Sequence, residues 1–142
     1  MKKLPRRLAI LAGALILASC STMQTMMGGS GSVSLSGANE VPANDSKATG
    51  SGTVKVADDH SVTADITVTG MTATAAHIHQ GAKGANGPVI VPFTKSGDNH
   101  FVAAPGAKLT DAQYEAYKAG NLYENVHSAA HPGGEVRAQL AP

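Results

Sequence analysis

From Val33 onward, apolar and polar residues alternate with a period of two, in short runs broken by Gly, Asn, Asp and Pro. A period of two belongs to an extended strand, whose successive side chains point to opposite faces. Val33 and Leu35 alternate with Ser34 and Ser36, and Val54 and Val56 with Thr53 and Lys55. Val62, Ala64, Ile66 and Val68 alternate with Thr63, Asp65 and Thr67. Asp58-Asp59-His60-Ser61 supplies a hairpin connection between the second and third runs. Further strands are expected at 74–79, 89–94, 100–103, 122–127 and 135–140. Eight short strands with close turns predict an all-β domain, an antiparallel Greek-key β-sandwich or barrel. Aromatic residues are 4% of the chain and Trp is absent, so Val, Ile, Leu and Ala must build the core. With 142 residues the chain suits one domain, and 16 Gly with only 15% charged residues exclude a coiled coil.

One segment breaks the strand pattern. Thr110 can cap a helix, with Gln113 completing a capping box and Gly120 as the C-terminal stop. Leu109 and Tyr114 are placed for a hydrophobic staple, so a short helix is expected over 111–119.

The first residues read as an address. Met1–Arg7 is basic, and Leu8–Ala18 is an apolar stretch of eleven residues. A bilayer span needs about 20 residues, so this is a secretory h-region instead. It ends in Leu17-Ala18-Ser19-Cys20, which resembles the bacterial lipobox, and Cys20 is the only Cys of the chain. The expected organisation is a signal peptide over 1–19, a lipidated Cys20 with a flexible tether over 20–32, and a β-domain over 33–142. Ser21 rather than Asp after the Cys leans towards the outer membrane, on the periplasmic face. Several acyl chains on Cys20 would anchor the chain stably. Met23, Met26 and Met27 in the tether are soft thioethers of the kind that ligate Cu(I), or simply linker residues. A lone Cys excludes a disulfide framework and a Cys-rich zinc site. Without residues 1–19 the chain keeps seven basic and ten acidic residues, a net charge of −3. Such a chain, poor in aromatics, is not a nucleic-acid binder.

The histidines carry the functional signal. His77-Ile78-His79 places two imidazoles on one face of a strand, with Ile78 on the other. His127 and His131 form a second group, with Val126 facing the core and His127 facing outward. Neutral imidazoles suit Cu²⁺ or Zn²⁺, and divalent affinity peaks at copper. The candidate ligands are therefore His77, His79, His127 and His131, for copper or alternatively zinc. The two groups meet only if their strands are neighbours, if a loop folds over, or across the two-fold axis of a homodimer. His60 is expected to be solvated in its hairpin, and His100 is a weaker extra candidate beside Gly97-Asp98-Asn99. Glu135 and Arg137 face away from the core, either supporting the ligands from behind or pairing with each other on a solvated face. Gly81, Gly84 and Gly87 lack the strand-to-helix setting of a phosphate loop and read as a long turn.

Three stretches, Leu35–Pro42 (LSGANEVP), Ala76–Pro88 (AHIHQGAKGANGP) and Gly120–Leu140 (GNLYENVHSAAHPGGEVRAQL), resemble the CHRD domain, named from chordin. The resemblance spans about residues 32–140 and implies an all-β fold, found in bacteria as a single exported domain. A looser resemblance is to Cu,Zn superoxide dismutase, a Greek-key barrel with an H-x-H on a strand facing copper. That likeness implies His77 and His79 as copper ligands, His127 or His131 as further ones, and Arg137 as an anion-guiding arginine. The chain departs from it in lacking a metal-bridging His with its zinc loop and a disulfide pair.

Three functions follow. The first is a copper-binding lipoprotein of the cell envelope that sequesters or delivers the metal. The second is a metal-independent interaction module built on an immunoglobulin-like or dismutase-like sandwich. The third is a copper-only enzyme resembling superoxide dismutase.

Overall fold

The alternating runs pair antiparallel throughout and close on themselves. The computed structural model describes residues 31–142. The leader expected over 1–19, Cys20 and the methionines of the expected tether lie outside these residues. The elements are β1 (Ser32–Ser36), a 3₁₀ turn at Gly37–Asn39, β2 (Thr49–Val56), β3 (Val62–Thr69), β4 (Ala73–Gln80) and β5 (Val89–Gly97). They continue with β6 (His100–Ala103), α1 (Asp111–Lys118), β7 (Leu122–Ser128) and β8 (Val136–Leu140). All eight expected strands are present, with ends shifted by at most a few residues. The spatial order β1-β2-β3-β6-β5-β4-β7-β8 is a closed barrel, and β3 to β6 form its Greek key. β1 and β8 close it at Ser36 and Arg137.

Helix α1 forms where its caps demand it. The Gln113 backbone N–H donates to the Thr110 hydroxyl at 3.2 Å, and the Thr110 N–H donates to the Gln113 side-chain carbonyl at 2.9 Å. The helix bridges β6 and β7 across one end of the barrel. His60, expected in solvent, instead stacks on Tyr114 of this helix with ring centroids 4.1 Å apart. Its backbone takes φ +70, the left-handed region that the tight turn requires.

The barrel interior is aliphatic, as the composition demands. Leu35, Ile66, Val68, Ile78, Leu122, Val126 and Val136 are buried, and Phe101 is the one large aromatic among them. One interior position breaks the pattern. Glu124 shares its face of β7 with Leu122 and Val126, is 1% exposed, and sits opposite Ile78. Neither of its carboxylate oxygens has a hydrogen-bond partner among the described residues. Burial pushes its pKa from 4.5 up to about 8, so the carboxyl is mostly protonated at neutral pH.

The consequence for stability has a definite sign. In the unfolded chain this carboxyl ionises near 4.5, and in the barrel it does so near 8. The folded state is therefore not penalised below 4.5 and loses stability progressively as pH rises from 4.5 towards 8. Glu124→Gln should raise stability more at pH 8 than at pH 5, read as the difference from the parent chain in thermal unfolding at each pH.

Candidate metal centre

The outer face of β4 and β7 carries the site. β4 pairs with β7 so that His77 lies opposite Asn125, His79 opposite Tyr123, and His127 opposite Ala75. Ile78 and Val126 point into the core, so His77, His79, Tyr123, Asn125 and His127 all stand on the outside of the barrel. A shift in the β4–β5 pairing between Ile78 and His79 marks a bulge at the site, the kind of irregularity that re-aims a side chain.

Three imidazoles converge there. One ring nitrogen from each of His77, His79 and His127 lies within 4.8 Å of the others. His77 Nδ1 and His127 Nε2 are 3.0 Å apart. Backbone carbonyls hold the far nitrogens of the other contacts. His79 Nδ1 donates to the Gly87 carbonyl at 3.0 Å, and His127 Nδ1 donates to the Pro132 carbonyl at 2.9 Å. These bonds place the protons of His79 and His127 on Nδ1 and leave both Nε2 atoms as acceptors, that of His127 taking the His77 Nδ1–H. His79 Nε2 is buried and has no hydrogen-bond partner among the described residues. Burial, then the neighbouring His127 and His79, push the pKa of His77 down to about 4. Burial likewise lowers His127, against the opposing pull of the Pro132 carbonyl. His77 and His127 are thus held neutral, the protonation state a metal ligand needs.

The remaining sequence candidates are placed elsewhere. His131 is half-buried in the turn before β8, where its N–H donates to the Ser128 hydroxyl at 3.1 Å, and it does not join the three. His100 lies on β6 and contacts Asp65 at 3.0 Å, away from the cluster. Glu135 accepts from Ser46 at 2.6 Å and from the Ser128 hydroxyl, and touches no imidazole of the cluster. The solvated Glu135–Arg137 ion pair does not exist. Both side chains leave the barrel as their parity requires, but Glu135 is 7% exposed and Arg137 1%. The reason is a roof that periodicity cannot reveal. Residues 37–46 and 81–88 fold over the outside of β7 and β8, so β7 is buried on both faces.

Arg137 holds that roof together. Its guanidinium donates to the Asn86 side chain at 3.1 Å and to the Ala85 carbonyl at 2.8 Å. It also lies 3.4 Å from the centre of the Tyr123 ring. Tyr123 in turn stacks on His79, with centroids 4.8 Å apart and planes 4° from parallel. Tyr123 is the residue that reading the sequence missed. Its position two residues from Asn125 and four from His127 was the available signal, since all three share one face.

The comparisons with known proteins agree with this architecture at the level of family. The sequence model of the CHRD domain matches residues 31–140, nearly all of the described chain. The chain belongs to the CHRD domain family. No curated protein and no solved structure gives a significant match.

Two of the family's motif stretches meet at Gly134. This residue adopts φ +129, and a Cβ there would come within 2.4 Å of both Glu40 Oε1 and Asn125 Nδ2. Both neighbours are buried, so neither can swing aside freely. Gly134→Ala should therefore cost about 1–3 kcal/mol in chemical denaturation.

Proposed function

We propose that this protein binds copper through His77, His79 and His127, as a lipoprotein of the bacterial cell envelope that sequesters or delivers the metal. The observation that carries the reading is the convergence of one ring nitrogen each from His77, His79 and His127, with two of the rings held at Nδ1 by backbone carbonyls. Carbonyl-anchored imidazoles are the usual supporting arrangement of metal-ligating histidine. A buried Nε2 without a partner is costly unless something fills its lone pair, and a cation does so.

The geometry accommodates a metal with little movement. Imidazole nitrogens bind at about 2.0–2.1 Å, so two ligands of one ion stand at most about 4.2 Å apart. The 3.0 Å pair His77–His127 already suits adjacent positions, and the widest pair must close by roughly half an ångström from the 4.8 Å limit. His77, His79 and His127 would hold the cation, and His77 would then carry its proton on Nε2. Three neutral nitrogens favour Cu²⁺ over other divalent ions, with Zn²⁺ next in line. All three ligands come from one chain, so a homodimer is not needed to complete the set. The address read over residues 1–20 supports export, lipidation at Cys20 and a copper site outside the cytoplasm.

Titrating the purified chain with Cu²⁺ tests the reading. One Cu²⁺ per chain is expected, with nitrogen hyperfine coupling in electron paramagnetic resonance that His77→Ala, His79→Ala and His127→Ala each weaken. His131→Ala should leave affinity unchanged. Because the ion binds only the folded state, copper at 100 times its Kd should add about 2.7 kcal/mol of stability. Absence of stoichiometric uptake overturns the proposal. Separately, Cys20→Ala should move the protein from the membrane fraction to the soluble one, read by fractionation and immunoblotting.

A further inference from the structure

Gly81 to Pro88 is a strap lying over the outer face of the barrel, and its far end supplies the carbonyl that orients His79. Gln80 N–H donates to the Pro88 carbonyl at 3.0 Å, closing the base of the strap. Gly87 sits at that base, where a Cβ would come within 1.7 Å of the Gln80 carbonyl oxygen, so only glycine fits. The Gly87 carbonyl accepts from His79 Nδ1 at 3.0 Å, while the Gly87 N–H donates to the Tyr123 hydroxyl at 3.1 Å. The two peptide links that flank the Gly87 Cα are therefore each gripped, one by a ligand and the other by a residue of β7.

The strap is gripped a second time by β8. Arg137 binds Asn86 and the Ala85 carbonyl, and Gln139 donates to the Gly81 carbonyl at 2.9 Å. The partners that Arg137 donates to are all neutral: two carbonyls and the side chains of Asn86 and Gln139. A buried guanidinium spent on carbonyls and an aromatic face gains little stability, since its desolvation is barely repaid. Its fork instead fixes several strap atoms at once. His79 of β4 and Arg137 of β8 pack on the ring of Tyr123, from the strands on either side of β7.

We infer that Tyr123 and Arg137 are positioning residues for the metal: together they clamp the 81–88 strap so that the Gly87 carbonyl locks the tautomer and orientation of His79. The inference rests on the copper-binding reading and adds to it a cause for the readiness of His79. Without the clamp the Gly87 carbonyl drifts, the His79 proton can sit on either nitrogen, and the buried Nε2 no longer presents its lone pair in one direction. Loss of such supporting contacts typically weakens metal binding 10–100-fold.

The test is a mutant cycle on the purified chain with Cu²⁺ as the probe. Tyr123→Phe keeps the ring stack and removes only the hydroxyl that holds Gly87; Arg137→Gln removes the fork. Circular dichroism and thermal unfolding of each metal-free variant first establish that the barrel is intact, and Tyr123→Phe remains decisive if Arg137→Gln does not fold. Both variants should lower Cu²⁺ affinity about 10-fold or more and shift the nitrogen hyperfine pattern towards that of His79→Ala. In a His79→Ala background the same substitutions should have no further effect on affinity, because they act through His79. Parent-like affinity and spectrum in Tyr123→Phe, or an undiminished effect in the His79→Ala background, overturns the inference. A parent chain that takes up no Cu²⁺ overturns the copper reading itself, and the clamp's role in metal binding with it.

Discussion

Strands β4 and β7 pair with Ile78 opposite Glu124, and that register decides what stands on each side of the barrel wall. With Ile78, Leu122 and Val126 inside, His77, His79, Tyr123, Asn125 and His127 go outside. A slip of one residue would send imidazoles into an aliphatic core and isoleucine into the site. The cost of burying polar rings among Leu, Ile and Phe holds the register in place. The same hydrophobic preference that folds the barrel therefore aims the ligands.

Glu124 is the one exception to that sorting. Its carboxyl lies behind the cluster, on the inner face of the same strand, and remains mostly protonated at neutral pH because it is buried with no hydrogen-bond partner among the described residues. The outer face inverts the usual rule as well. It is polar, yet it is buried, because two connecting segments lie over it and meet its needs through Asn39, Asn44, Asn86, Arg137 and Gln139. Side-chain amides suit this work, since each offers a donor and an acceptor to the irregular backbone above it. The result is a set of imidazoles shielded from bulk water without being part of the hydrophobic core. Exclusion of water lowers the pKa of His77 and His127 and strengthens any lone pair–cation attraction.

Much of this was legible in the residues. Alternation located all eight strands, the Thr110–Gln113 box located the helix, and parity placed His77, His79 and His127 outward. Parity also sent Arg137 and Glu135 out of the barrel, but it carries no information about what lies above an outward face. Hence Arg137, expected in solvent, is among the most buried side chains of the structure. Gly81, Gly84 and Gly87 announced a turn; only the folded chain shows that the turn comes back over Tyr123 and supplies a carbonyl to His79.

By itself the sequence determined the fold class, the element boundaries to within a few residues, and the face on which His77, His79 and His127 stand. Those properties depend on local periodicity and turn chemistry, which neighbouring residues carry among themselves. Which strands became neighbours was decided by tertiary structure alone. His77 and His127 are 50 positions apart, and nothing local dictates that β4 should lie between β5 and β7. Barrel closure brought His127 beside His77 and His79 and left His131 and His100 outside the cluster, and the strap set its Gly87 carbonyl on His79. Long-range pairing and loop docking are properties of the whole chain, settled by the burial of shared surface and not by any one segment's pattern.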